Sequence, residues 1–337
     1  VWESDIFLNE KRLFILKYFI RFGSYEKMSH NQNLLMWLGM PYETEKRRNR
    51  REAQDMQEKK RKIAYSGIEG SFAAMAAGGI FPDDEKVSCS TFREAYEKVE
   101  AGLCDAAVLP IENSYAGEVG QVSDLMFRGG LSVCGVFELP VFQCLLGVKG
   151  SSVGSITKVI SHPQALEQCG EFIGRHNFEA IPYENTARAA KEVADRNDIT
   201  TGAIASSETA ELYGLTILAH DINESERNVT RFAVFTRQDT HGTIQEAKNT
   251  ILLFTIRDFA GALARAISII GKHNYNMRVI RSRPVKEANW QYYFYTEIEG
   301  VLDSEEGWRM LEQLKTACEK IKVVGTYTPE VRIGKDQ

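Results

Sequence analysis

From Lys62 onward, short apolar runs of strand length alternate with amphipathic stretches of helical period, and this alternation narrows the fold more than any other feature. KIAYSG, DAAVLPIEN, SITKVIS and NVTRFAVFT read as strands, while GSFAAMAAGGIF, TFREAYEKVEAG and TARAAKEVADR read as helices. The expected class is α/β. Residues 61–239 are expected to form two lobes, lobe 1 from 61–140 plus 227–239 and lobe 2 from 141–226. The chain would cross near ELPVFQCLLGV and return near Arg227. After the polar linker QDTHGTIQEAKN, residues 249–333 carry a βαββαβ pattern suited to one sheet and two helices. Residues 1–60 differ in texture. KRRNRREAQDMQEKKRK has almost no large apolar side chains, and its interleaved acids make it an extension or linker rather than a nucleic-acid tail.

Composition removes several function classes. A net charge of −5 on 337 residues, with 43% hydrophobic and 26% charged residues, is that of a globular protein without a polyanion or membrane-surface partner. LFILKYFIRF is interrupted by Lys17 and Arg21 and is too short to span a bilayer. Six cysteines occur without a CxxC pair or zinc-type spacing, so metal chemistry is not expected, and a reducing cytoplasmic compartment fits.

Polar residues gather at the ends of the expected strands, where α/β folds build their sites. Gly67 and Gly70 frame a turn into a helix whose first turn carries Ser71, a place where free N–H groups meet anions. Glu112, Asn113 and Ser114 follow a wholly apolar strand. Ser161 is expected to cap a helix that holds Gln168 two turns in, and His162 beside Pro163 is as much a structural residue as a proton donor. Thr230-Arg231-Phe232 sets a hydroxyl beside a fixed cation, a pair suited to a carboxylate substrate and equally explicable as strand and surface residues.

AYSGIEGSF, LPIENSYAGEV, ISHPQALEQC and NVTRF, in that order and spacing, resemble the signature segments of the prephenate dehydratase family. GAL at 261–263 and SRP at 282–284 resemble fragments of the ACT regulatory domain that follows it. The resemblance implies a two-lobed catalytic domain like the periplasmic binding proteins, then an ACT domain. It implies decarboxylating dehydration of prephenate to phenylpyruvate in L-phenylalanine biosynthesis, a reaction driven by aromatisation for which no cofactor or metal is expected. On this reading Thr230 hydrogen-bonds the departing C4 hydroxyl, Glu112 is the second candidate proton donor if burial raises its pKa, and Asn113 assists. Gly70, Ser71, Ser114, Ser161, Gln168, Arg231 and Phe232 surround the substrate, with Arg231 shared between carboxylate ligand and structural anchor. L-phenylalanine is the expected effector, held by Gly261, Ala262, Leu263, Asn276, Arg281, Ser282, Arg283 and Pro284 in a homodimer or homotetramer.

Three departures from the family pattern bear on regulation. Ala260 stands where the family has Pro, Arg278 follows Asn276-Met277 in place of Asn-Leu-Thr, and Arg281 replaces an acid, which is expected to reverse a charge near the effector. Two alternatives stay open: arogenate dehydratase, because arogenate differs only in bearing an amine for the keto group, and a non-catalytic sensor of small anions. Residues 1–60 are too few, and too interrupted by Gly39 and Pro41, for the helical chorismate mutase that some relatives carry, so a remnant or linker is expected.

Overall fold

The computed structural model describes residues 60–225, 227–237, 247–285, 291–329 and 331–333. The expectations for residues 1–59, the mutase remnant among them, lie outside the described residues.

Lobe 1 opens with β1 (Lys62–Ser66), α1 (Phe72–Ile80), β2 (Glu85–Cys89), α2 (Phe92–Glu100) and β3 (Ala106–Asn113). It continues through β4 (Gly117–Glu118), α3 (Gly120–Arg128) and β5 (Ser132–Pro140). The chain then crosses to lobe 2: β6 (Cys144–Gly147), β7 (Lys158–Ser161), α4 (Pro163–Gln168), α5 (Gly170–His176) and β8 (Glu179–Pro182), followed by α6 (Thr186–Arg196), β9 (Thr201–Ala205), α7 (Ser207–Tyr213) and β10 (Thr216–Ala219). The return strand β11 (Val229–Thr236) inserts antiparallel between β3 and β5. Lobe 2 has its own sheet, ordered β10-β6-β9-β7-β8.

One helix differs from its sequence reading. HPQALEQCGEFIGRH breaks at Cys169, which lies outside the helical region. The returning chain causes the break: the Glu224 N–H donates to the Gln168 carbonyl, and the Glu224 carboxylate accepts from the Glu171 N–H at the head of α5. His162 rather than Ser161 caps α4, its ring nitrogen accepting from the Gln164 N–H.

The C-terminal domain runs β12 (Asn249–Ile256), α8 (Ala262–Lys272), β13 (Met277–Pro284), β14 (Tyr292–Glu299), α9 (Glu305–Leu314) and β15 (Cys318–Tyr327), then β16 (Val331–Arg332). Its strands pair antiparallel in the order β13-β14-β12-β15, and β15 meets β5 in parallel, so this sheet continues into that of lobe 1. The join requires glycine at 325, because a Cβ there would strike the Val133 carbonyl oxygen. β12 is apolar on both faces for a physical reason. Leu252 and Phe254 pack under α8 and α9, while Ile251 and Leu253 face a core shared with Val122, Leu125 and Met126 of α3.

Candidate active site

β3 and β11 pair antiparallel at the cleft, with Thr230 opposite Asn113 and Arg231 opposite Glu112. Successive strand residues present their side chains to opposite faces, and the two pairs separate accordingly. Thr230 and Asn113 border a cavity of about 580 Å³ at the cleft between the lobes. Glu112 and Arg231 meet the C-terminal domain instead.

Asn113 organises the cavity floor. Its Nδ2 donates to Thr230 Oγ1 at 3.0 Å and to Asn228 Oδ1 at 2.8 Å, while its Oδ1 accepts from the Tyr115 and Ala116 N–H groups at 3.0 and 2.9 Å. Gln164 Nε2 reaches the same oxygen at 3.3 Å, and Asn228 Nδ2 donates to Gln168 Oε1 at 2.9 Å. Thr230 Oγ1 therefore acts as an acceptor toward the protein, which leaves its own proton to donate into the cavity.

Helix ends supply positive potential. Ser71, Thr91, His162 and Asn185, the N-caps of α1, α2, α4 and α6, all line the cavity, as does Val119 ahead of α3. Unpaired N–H groups and the aligned peptide dipoles of such first turns attract anions. Among the described lining residues none is Lys or Arg. Burial lowers the His162 pKa, so its imidazole is neutral and serves as a cap rather than a cation.

The other expected substrate residues distribute unevenly. Ser71, Gln168 and Phe232 line the cavity, Phe232 as an almost fully buried wall. Ser161 does not: it is fully buried and donates to the Ile204 carbonyl at 2.5 Å, tying β7 to β9. Ser114 accepts from the Val229 N–H and donates to the Arg227 carbonyl, fastening β3 to the return segment outside the cavity. Gly70, at φ +84°, accepts through its carbonyl from Thr209 of α7 and so joins the two lobes rather than the site. Sequence reading passed over Gln164, Asn228, Thr91 and Asn185. Asn228 carried a signal, because it sits two residues before Thr230 in NVTRF and strand alternation turns it to the same side.

Arg231 is an anchor. Its guanidinium grips both Glu297 oxygens, at 3.0 and 2.9 Å, reaches Glu112 Oε2 at 2.9 Å and the Tyr327 hydroxyl at 3.2 Å. Burial pushes the Glu297 carboxyl up, but Arg231 and the hydroxyls of Tyr295 and Tyr327 outweigh it and hold the group below its ordinary value. Arg281 of β13 pairs with the other Glu112 oxygen, so neither the expected catalytic role of Glu112 nor the expected carboxylate role of Arg231 matches its surroundings.

A second cavity, about 630 Å³, lies in the C-terminal domain and is lined by Gly261, Ala262, Leu263 and Ser282 with Arg257, Phe259, Tyr292 and Phe294. Asn276, Arg281, Arg283 and Pro284 of the expected effector set do not line it. Asn276 donates to Glu299. Strand alternation again decides: Ser282 turns to this cavity, whereas Arg281 and Arg283 turn to lobe 1. Arg283 bonds Asp124 at 3.2 Å and Glu118 at 3.3 Å, and a Cβ on Gly120 would overlap its guanidinium. The expected charge reversal at the effector cavity therefore falls on the domain junction.

The prephenate dehydratase family profile matches residues 63–240. An Arabidopsis thaliana chloroplastic arogenate dehydratase/prephenate dehydratase is 33% identical over 275 residues, 79% of this chain and 72% of the relative. GqqA, described as a novel type of quorum quenching acylase, superposes with a TM-score of 0.73 at 28% identity, covering 80% of this chain and 99% of its own. A prephenate dehydratase from Arthrobacter aurescens in complex with L-Phe has a TM-score of 0.73 at 26% identity, over 79% of this chain and 90% of its own. Since the matched segment contains every described residue lining the cavity between the lobes, fold, site and profile agree that this chain belongs to the prephenate dehydratase family.

Proposed function

We propose that the chain converts prephenate to phenylpyruvate by decarboxylating dehydration, in L-phenylalanine biosynthesis. The observation that carries this reading is the Asn113-to-Thr230 hydrogen bond on the floor of a cavity lined by helix N-termini. In the reaction the bond to the ring carboxylate breaks, its electron pair enters the ring, and the C4 oxygen leaves as water after taking a proton. Aromatisation drives the step, so the enzyme must position the substrate and donate at C4. Thr230 donates to the departing oxygen, Asn113 fixes the direction of that donation, and helix N-termini hold the substrate carboxylates. With no Lys or Arg among the described lining residues, the scissile carboxylate is less stabilised than it would be beside an arginine, which favours its loss.

The acylase description of one structural neighbour finds less support here. Acyl-bond hydrolysis calls for a nucleophile bonded to a base, and no hydroxyl or thiol of the described cavity residues is hydrogen-bonded to His162.

Regulation by L-phenylalanine at the C-terminal cavity is part of the same reading, supported by the L-Phe complex of the Arthrobacter relative. Phe259, Tyr292 and Phe294 suit an aromatic side chain. Helix α3 carries the signal. Arg283 binds its first turns, Tyr293 stacks on Phe127 at 4.3 Å, and Lys322 donates to the Met126 and Gly129 carbonyls at its far end. Val119 and Gln121, at the head of α3, line the catalytic cavity. The outer position of β13, with Ile280, Tyr292 and Phe259 exposed, suits a second copy and hence a homodimer or homotetramer. Six unpaired cysteines suit a cytoplasmic location.

Phenylpyruvate formation from prephenate, followed with and without L-phenylalanine, tests both parts. Turnover that falls with added phenylalanine in the wild type and ceases to respond in Arg283→Ala is expected. No turnover refutes the activity, and an unchanged response in the variant refutes the α3 route.

A further inference from the structure

Two glutamines one turn apart on α4, Gln164 and Gln168, border the cavity with their amides set in opposite directions. The directions originate in the backbone. The Tyr115 and Ala116 N–H groups can only donate, so the Asn113 atom they meet is its oxygen, and its nitrogen faces the other way, toward Thr230 and Asn228. Gln164 reaches the same Asn113 oxygen directly and therefore does so through its nitrogen, at 3.3 Å.

Gln168 is reached through Asn228, and the extra step reverses the sense. Asn228 is buried, meets the Asn113 nitrogen with its oxygen at 2.8 Å, and so has its own nitrogen turned to Gln168. The Gln168 oxygen accepts that N–H at 2.9 Å. With this oxygen taken, the nitrogen is the polar atom that Gln168 has left to offer a ligand in the cavity it borders. The bridge itself is held firmly. The Asn228 carbonyl accepts from the Val141 N–H at 2.8 Å, and the next residue, Val229, bonds Ser114 through both its N–H and its carbonyl.

An anionic substrate presents oxygens that accept, so the direction of the Gln168 amide decides whether it attracts or repels one. The two ends of an amide are nearly equal in shape, and packing alone does not choose between them. We propose that Asn228 is a positioning residue: by donating to the Gln168 oxygen it turns the Gln168 NH2 group into the cavity, where that group donates to a substrate oxygen. The inference rests on the dehydratase reading given above and adds the residue that sets the direction of one of its donors.

The test is kcat/KM for prephenate in the wild type, Asn228→Leu, Gln168→Leu and the double variant, with the unfolding midpoint of each. Each single variant should lose about tenfold or more, and the double variant no more than about twofold beyond Gln168→Leu, since Asn228 then has no amide to orient. Losses that multiply overturn the proposal, as does wild-type kcat/KM in Asn228→Leu. Asn228→Asp, which matches asparagine in shape, gives a second reading that does not depend on the Leu variant folding. Its ionised carboxylate only accepts and turns the Gln168 nitrogen inward, whereas its neutral acid accepts from Asn113 and donates to Gln168, as asparagine does. Relative to the wild type at each pH, its kcat/KM should be depressed at neutral pH and recover as pH falls, and adding Gln168→Leu should abolish the recovery. A loss that does not change with pH, or a recovery that persists without Gln168, overturns the proposal. Failure of the wild type to turn over prephenate instead refutes the dehydratase reading on which the assignment stands.

Discussion

The two faces of the β3–β11 pair handle charge in opposite ways. On the cleft face, Thr230, Asn113 and Gln164 are neutral, and positive potential comes from backbone at helix ends. On the other face, three arginines and four carboxylates interlock: Arg231, Arg281 and Arg283 with Glu112, Glu297, Glu118 and Asp124. The fixed charges of this region hold domains together, and among the described cavity residues positive potential is left to dipoles. A formal cation near an expected site is therefore no guide to the site unless its strand face is known.

The largest expected effect of breaking this division is structural. Arg231→Ala strands the Glu297 carboxylate, buried at 1% exposure, and is expected to cost about 3–5 kcal/mol of stability by denaturant unfolding. Arg231→Met with Glu297→Met should recover much of that loss, because it removes both charges. A single variant as stable as wild type would deny Arg231 its anchoring role.

Acid should loosen the same face next. Glu297 is depressed below its ordinary value of 4.5, so its contribution is fully present above that pH and is lost as pH falls through the lower folded value. Thermal unfolding of the wild type should fall as pH drops below 4.5, and Glu297→Gln should show a flatter acid limb. Equal acid limbs would remove Glu297 from the account.

A smaller effect is expected at Glu112. Its partly exposed pairs with Arg231 and Arg281 are worth about 1 kcal/mol or less, so Glu112→Gln should keep kcat within about fivefold while altering the response to phenylalanine. A loss of turnover matching that of Thr230 variants would return Glu112 to the site.

Much of the fold was legible because strand and helix periods differ and the βαββαβ pattern is continuous in sequence. Thr230, Asn113, Ser71 and Gln168 were legible as polar groups at strand and helix ends, where apolar residues would serve folding alone. Glu112 was expected among the catalytic groups because type and position were read without alternation; counting by twos turns it away from Asn113, and the same count from Thr230 favours the anchor among the two roles expected of Arg231. Ser161 and Ser114 shared strand-end position with true cavity residues, and only three-dimensional pairing shows their hydroxyls spent on backbone.

The central claim is that catalysis lies on the cleft face of this strand pair. Its most direct test is kcat for prephenate in Thr230→Val, which keeps the side-chain shape and removes the donor. A fall of about 10²–10³-fold with the wild-type unfolding midpoint retained is the predicted result. Near-wild-type turnover would contradict it.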